Sequence, residues 1–374
     1  MKTRAAVLVE SSRSKPYAKS RPVEVTEVDL APPGEGEVLV EMKAAGVCHS
    51  DLSVVNGSRD RPVPLVLGHE ASGVVQEVGS GVKNFKSGDR IVFAFLPSCG
   101  SCGPCMSGRP SSCEPGHAAN ASGRLLSGET RLSLNGNPIG HQAGVSCFAE
   151  YSVASERSLI KIEDSLSMEE ASLFSCAVMT GVGAVLNTAQ VPPGATVAVV
   201  GLGGVGLNTL LAAKMLGAEK IIAIDTLDHK LAFARQLGAT HTFNANDPNC
   251  VEAARDATQG GVDYAFEVAG TVEAMDITFR ITRRGGMSVS SGLSHPAHKF
   301  SLSHTVMVAE ERTIKGSYMG SCIPARDIPR YISMYQRGLL PVDKLISSRI
   351  TLDDINAAFD TLDAGETIRQ IITF

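Results

Sequence analysis

Four of the chain's nine cysteines, Cys99, Cys102, Cys105 and Cys113, fall within fifteen residues in the spacing C-x2-C-x2-C-x7-C. Four thiolates so close together can close a tetrahedral shell around zinc, with no position left open, as in a structural site. An iron–sulfur cluster accepts the same four ligands, and spacing alone does not separate the two. A disulfide scaffold would suit a short secreted chain; 374 residues are enough for two domains with large buried cores. A second set is dispersed: Cys48 in Gly46-Val47-Cys48-His49-Ser50-Asp51, His69 in Gly68-His69-Glu70, and Cys176. Two thiolates and one imidazole leave a fourth position for water or substrate, which is the Cys2His pattern of catalytic zinc. Taken alone, His69 reads more readily as a structural histidine.

A different chemistry is written in Gly201-Leu202-Gly203-Gly204-Val205-Gly206. This is G-x-G-x-x-G, preceded by the apolar run Val197–Val200 and followed by a helical pattern. Gly201 would make the tight turn and Gly203 would let backbone N–H groups approach a pyrophosphate. Gly206 would let helix and strand pack closely. Gly204 and Val205 open the helix, whose N-terminus carries partial positive charge toward an anion. Asp225 ends the next apolar run, nineteen residues after Gly206. A carboxylate there accepts hydrogen bonds from an adenosine ribose and repels a 2′-phosphate, which points to NAD rather than NADP.

These groups need a scaffold. Up to about residue 178 the chain is rich in Val, Gly and Pro. Val38–Met42 and Gly73–Val78 read as strands, and Gly79-Ser80-Gly81 and Ser87-Gly88-Asp89 as turns. Beyond Cys176 strands alternate with helices. Val197–Val200, Ile221–Ile224, Tyr264–Val268 and Met287–Ser290 are strand candidates. Helices are expected over about Val205–Leu216 and His229–Leu237, the latter ended by Gly238. Such alternation implies a parallel sheet covered on both faces. The fold class is therefore α/β, with a mostly β part and a doubly wound part. No charged residue lies between Ala171 and Ala213, but Pro192-Pro193-Gly194 breaks that run. It reads as a buried helix, a turn and a buried strand, not as a membrane span.

The formal charge is −5 with both signs mixed along the chain, so no basic block invites nucleic acid or an anionic membrane. The apolar run before Glu10 is too short for a secretory signal, and a cytoplasmic location is expected.

In combination and in order, these pieces resemble the zinc-containing alcohol dehydrogenases of the medium-chain dehydrogenase/reductase superfamily. The likeness runs over the whole chain, including Thr180-Gly181 and the ending Ile368-Arg369-Gln370-Ile371-Ile372-Thr373-Phe374. It implies a GroES-like catalytic domain over 1–177 and 319–374 and a Rossmann domain over 178–318, with the active site in the cleft between them. It also implies two zinc ions per chain and NAD. Cys48, His69 and Cys176 would hold the catalytic zinc, with Glu70 close behind. Ser50 would bond the substrate oxygen, and Thr180 would lie near the nicotinamide. His49 and Arg369 would contact the pyrophosphate and Lys230 the ribose. Phe95 would form a pocket wall. The long Cys113–Cys176 segment resembles that of dimeric members, so a homodimer is expected. Cys147, Cys250 and Cys322 match no ligand position and read as small buried hydrophobes.

The implied reaction is reversible hydride transfer between an alcohol and NAD. Many members carry a histidine three residues after the serine, at the outer end of a proton relay; here that position is Ser53, which does not titrate near neutral pH. A chain through Ser50, the ribose and Ser53 to water is one substitute. Arg59, in Ser58-Arg59-Asp60-Arg61, falls at the pocket mouth; it either recruits a polar or anionic substrate or is a solvated charge partly paired with Asp60. Two other readings stay open: a glutathione- or other thiol-linked formaldehyde dehydrogenase of the same superfamily, and a catalytically silent zinc- and nucleotide-binding protein.

Overall fold

The Val-rich runs of the first half become strands in the computed structural model, which describes all 374 residues. These are β1 (Lys2–Leu8), β2 (Val23–Leu30), β3 (Glu37–Gly46), β4 (Leu65–Val66), β5 (Ala71–Val78), β6 (Arg90–Phe93), β7 (Leu132–Leu134), β8 (Asn137–Pro138), β9 (Gly140–His141), β10 (Tyr151–Ser155) and β11 (Leu159–Lys161). The second half supplies β12 (Thr196–Val200), β13 (Lys220–Asp225), β14 (His241–Asn244), β15 (Val262–Glu267), β16 (Thr282–Ser290) and β17 (Thr313–Gly316). Two last strands follow, β18 (Ile346–Ile350) and β19 (Arg369–Thr373).

The chain forms two units. The first comprises Met1–Cys176, Ile323–Ile332 and Asp343–Phe374; the second comprises Ala177–Cys322 and Ser333–Val342. In the first unit one sheet runs β8-β7-β2-β1-β4-β9 and another runs β11-β6-β5-β3-β19-β18, with β10 also paired to β3. The core of this unit takes Val38, Val40, Met42, Phe93, Phe148, Phe359 and Ile372, all essentially inaccessible. Each such side chain contributes about 1.5–3 kcal/mol of burial. Register matters for the site: β19 places Ile371 opposite Gly46, and the N–H of Val47 donates to Gln370 O at 3.0 Å. The C-terminal strand is thereby delivered beside Cys48.

The second unit is a parallel six-stranded sheet in the order β14-β13-β12-β15-β16-β17. Its central strands are buried almost without interruption, because helices cover both faces. The uncharged stretch resolves into the helix Ala177–Gly183, a π-helical continuation Ala184–Ala189, a turn and β12. No helix is long and apolar enough to cross a membrane. The edge strands β14 and β17 escape a pattern search because their residues are half-buried or exposed, without the apolar run that marked the centre.

His141 in β9 carries a consequence for stability. It is fully buried, its Nε2 accepts the N–H of Arg131 at 3.2 Å, and its Nδ1 has no partner. Burial pushes its pKa down from 6.5 to about 4. Between these values the unfolded chain takes up a proton that the folded chain refuses, so stability falls as pH falls. The linkage predicts a loss of about 2 kcal/mol between pH 7 and pH 5 from this residue. Urea midpoints at the two pH values, for the parent and for His141→Leu, test this. Equal pH dependence in the two proteins would show that His141 is not the source.

Candidate metal and dinucleotide sites

The dispersed residues converge. Sγ of Cys48, a ring nitrogen of His69, a carboxyl oxygen of Glu70 and Sγ of Cys176 lie within 4.8 Å of one another, and all four residues are buried. Local structure explains how each arrives. Gly68 has φ +96° and a Cβ there would lie 2.5 Å from Phe148, so only glycine lets the chain turn His69 inward. Cys48 is the N-cap of the helix His49–Val55, and its N–H donates to Asp51 Oδ2 at 3.1 Å. Ser175 accepts the N–H of Ala71 at 3.2 Å and donates to Phe93 O at 2.6 Å, tying the Cys176 segment to β5 and β6.

Asp51 had no role in the sequence argument beyond its place in the motif, yet its other oxygen lies 2.7 Å from His69 Nδ1. With Nδ1 held, Nε2 is the nitrogen left for a metal, and it is buried without a partner. The signal for Asp51 was an acidic residue three positions after the N-cap cysteine, which is a capping-box spacing. Burial works against a charged His69, but Asp51 and then Cys48 raise its pKa well above 6.5. A hydrogen bond from Cys176 holds Cys48 well below the usual thiol range, and the same contact pushes Cys176 up. Burial pushes Glu70 up to about 7 against the pull of Arg369. An orphaned imidazole nitrogen beside two thiols is a donor set that fits zinc.

The four clustered cysteines also converge within 4.8 Å. Backbone N–H groups point at their sulfurs: Cys99 N to Cys113 Sγ at 3.2 Å, Cys102 N to Cys99 Sγ at 3.3 Å and Gly116 N to Cys113 Sγ at 3.4 Å. Bonds from the Ser101 and Cys102 amides bring the Cys99 thiol down to about 6, while burial pushes Cys105 up to about 12. The lobe offers four sulfurs and no open position, so it too fits zinc.

In the second unit, Gly201 has φ +100°, and a Cβ there would sit 2.7 Å from Ala269 N. A Cβ on Gly206 would strike Gly201 O at 1.9 Å, whereas one on Gly203 would meet nothing within 4 Å. The turn is therefore tight at both ends and open in the middle. No side chain caps the helix Gly204–Met215 at Gly203, so its first N–H groups face outward for an anion. Asp225 ends β13; its oxygens accept the N–H of Leu202 at 2.7 Å and of Leu227 at 3.0 Å.

Comparison with known proteins agrees with this geometry. The alcohol dehydrogenase GroES-like domain family matches residues 34–164, and the zinc-binding dehydrogenase family matches residues 204–337. An S-(hydroxymethyl)glutathione dehydrogenase of Paracoccus denitrificans is 37% identical over 100% of both chains. The chain belongs to the zinc-dependent medium-chain alcohol dehydrogenase family. Benzyl alcohol dehydrogenase from Acinetobacter calcoaceticus superposes with a TM-score of 0.93 at 31% identity, covering 100% of this chain and 99% of that one. A zinc-binding dehydrogenase from Sinorhizobium meliloti, bound to NADP, gives 0.81 at 26% identity over 100% of both. This member of the family is thus an oxidoreductase whose cofactors are zinc and a nicotinamide dinucleotide.

The remaining expected residues of this dehydrogenase are placed as follows. Phe95 lies edge-on to His69, ring centroids 5.0 Å apart, at the Cys48–Cys176 cluster. Arg369, expected at the pyrophosphate, is 4% exposed; its guanidinium is 3.2 Å from Glu70 and also donates to Val47 O at 3.3 Å. His49 is exposed and Ser50 half-buried in the first turn of the helix His49–Val55. Ser53 donates its hydroxyl to His49 O at 2.8 Å, one turn back, so its proton is directed into the helix and not outward. Thr180 and Lys230 are each 9% exposed, in the second unit. Beside Thr180, Gly181 permits close helix packing, since a Cβ there would lie 2.4 Å from Val205 O. Arg59 is half-buried and makes no ion pair with Asp60; the guanidinium of Arg61 donates to the Asp60 carbonyl at 2.7 Å.

Proposed function

We propose that this protein is an NAD-linked alcohol dehydrogenase with two zinc ions per chain, interconverting a primary or secondary alcohol and its aldehyde or ketone. The observation that carries this reading is the unpartnered Nε2 of His69, aimed by Asp51 at the paired thiols of Cys48 and Cys176. Zinc held there supplies a Lewis acid that lowers the pKa of a bound alcohol or polarises a carbonyl. The nicotinamide supplies the hydride acceptor. The chain's own groups do the rest. Cys48 and Cys176 supply negative charge at the metal position, and Asp51 fixes the His69 tautomer. Ser50 bonds the substrate oxygen and takes its proton toward solvent. Phe95 walls the pocket beside His69. Arg369 offsets the charge of Glu70. Gly203, Gly204 and Val205 present the N–H groups that receive the pyrophosphate, with His49 as a further contact, and Lys230 assists at the ribose.

The name of the Paracoccus relative favours a second reading, a thiol-adduct substrate such as S-(hydroxymethyl)glutathione. A substrate panel separates them: ethanol, benzyl alcohol, and formaldehyde with and without glutathione, each with NAD and NADP. Turnover of simple alcohols without thiol is expected. Activity confined to the glutathione adduct, and lost in Arg59→Ala, would select the second reading; no turnover of any alcohol would refute both.

The reading includes a homodimer. From Ser291 to Gly316 no residue is buried; Val308 stands exposed in the helix before β17 and Ile314 on β17 itself, the last strand of the sheet. An open apolar sheet edge suits a second copy paired about a two-fold axis. Light scattering should give twice the chain mass of 39.2 kDa, and a Val308→Asp, Ile314→Asp variant should run as monomer. A parent that is already monomeric removes this element. A cytoplasmic location is part of the proposal too, since reducing conditions preserve thiol ligands and none of the nine cysteines is joined in a disulfide; recovery from the periplasm or medium would contradict it.

A further inference from the structure

A buried carboxyl group sits where the parallel sheet reverses its winding. From β12 the chain builds outward through β13 and β14, then returns and builds the other way through β15, β16 and β17. In such sheets the ligand crevice lies at the carboxyl ends of the two central strands, here β12 and β15. Glu267 is the last residue of β15, with Val200 of β12 on one side and Ser290 of β16 on the other.

Glu267 is 2% exposed, and both carboxyl oxygens are engaged. One accepts the N–H of Gly270 at 2.5 Å; the other accepts the Ser290 hydroxyl at 2.7 Å. Its backbone carbonyl accepts the N–H groups of Ser291 at 2.9 Å and Gly292 at 3.2 Å. One residue therefore ties together the loops that follow β15 and β16. They are packed without slack. A Cβ on Gly292 would lie 2.4 Å from Gly270 N and 2.5 Å from both Glu267 carboxyl oxygens. The first loop also backs the glycine-rich turn: Val268 N donates to Val200 O at 3.0 Å, and Ala269 crowds Gly201.

Burying a carboxyl group is costly, and no salt bridge offsets it at Glu267. An apolar residue would pack the same space with less penalty. What an apolar residue lacks is the pair of acceptors that joins the two loops. We propose that Glu267 is a positioning residue for the dinucleotide: it holds residues 268–271 and 291–293 as a preformed wall of the crevice, so that binding does not have to order them. Preorganisation of this kind improves affinity by removing an ordering cost, without adding a contact. The inference rests on the reading of Gly201–Gly206 as the dinucleotide turn.

The test is calorimetric titration of the zinc-loaded protein with NADH, alongside zinc content, Tm and steady-state kinetics. Glu267→Ala should raise the Kd for NADH and the KM for NAD about tenfold or more, with kcat within about threefold and zinc content unchanged. Glu267→Gln can turn its amide oxygen to Gly270 N–H and donate its NH2 to the Ser290 oxygen. It should bind within about threefold of the parent. Ser290→Ala, which leaves one of the two ties, should fall between. Amide exchange at Gly270 should speed up in the alanine variant. Parent-like Kd in folded Glu267→Ala overturns the proposal, as does Glu267→Gln binding as poorly as alanine. If Glu267→Ala does not fold, Ser290→Ala decides, and an unchanged Kd there overturns it. A parent that fails to bind NADH at all is a different failure: it removes the dinucleotide reading, and this proposal with it.

Discussion

Cys176→Ser should lower the zinc content from two ions per chain to one and abolish turnover, with the fold kept. Cys176 is one of three Cys/His donors in its cluster and is 5% exposed, so its replacement leaves two donors for a metal that needs more. Serine fills nearly the same space, and the anchoring bonds of Ser175 to Phe93 and Ala71 do not involve the sulfur. A bound metal's stabilisation of charge on the reacting oxygen is worth several kcal/mol, and each 1.4 kcal/mol is a decade in rate. The expected loss is about a thousandfold or more. Cys99→Ser should behave in the opposite way. Three of the four cysteines in its lobe are only half-buried, and structural zinc contributes folding free energy directly. The first effect there should be a lower Tm, with activity lost through unfolding. Elemental analysis, Tm and turnover on the two variants are the measurement. Two zinc ions per chain and near-parent turnover in Cys176→Ser would show that Cys176 is not a ligand.

Local chemistry was legible in the sequence and distant pairing was not. The four-cysteine lobe could be read because its ligands sit in one short segment. Gly201, Gly203 and Gly206 could be read because a tight turn and a close helix approach admit no side chain, and the structure shows those clashes at Gly201 and Gly206. The metal cluster joins residues from the turn after β3, the turn before β5 and the segment before Ala177. Nothing in the spacing of Cys48, His69 and Cys176 says that they meet, and the family likeness had to supply it. Asp51 on His69 and Arg369 on Glu70 are set by packing between elements up to 299 positions apart in the chain. Glu267 gave no signal, because a glutamate at a strand end looks like a solvated residue until the strands on either side are known. Ser53 was visible as a departure. That its hydroxyl turns back to His49 O depends on the helix it joins, which the departure alone does not reveal.

The second large effect concerns the choice between dinucleotides. Asp225 stands at the end of β13 and braces the glycine-rich turn through the Leu202 amide. A carboxylate there is placed to accept from ribose hydroxyls and to repel a 2′-phosphate. Two unit charges about 5 Å apart interact by roughly 3 kcal/mol at an effective dielectric near 20. That corresponds to about two decades in affinity. The parent should therefore prefer NAD over NADP by about a hundredfold in kcat/KM, in contrast to the NADP-bound relative from Sinorhizobium meliloti. Asp225→Asn removes the charge but keeps one acceptor for the Leu202 or Leu227 N–H, so the preference should shrink to within about tenfold, mainly through better use of NADP. Asp225→Gly removes both acceptors. It should also raise the KM for NAD, because the turn loses its brace as well as the ribose its partner. Adding salt tests the electrostatic part separately. Screening should narrow the preference of the parent and leave that of Asp225→Asn nearly constant. Comparable kcat/KM for NAD and NADP in the parent, at any salt, would mean that Asp225 serves the turn alone and that discrimination, if any, lies elsewhere.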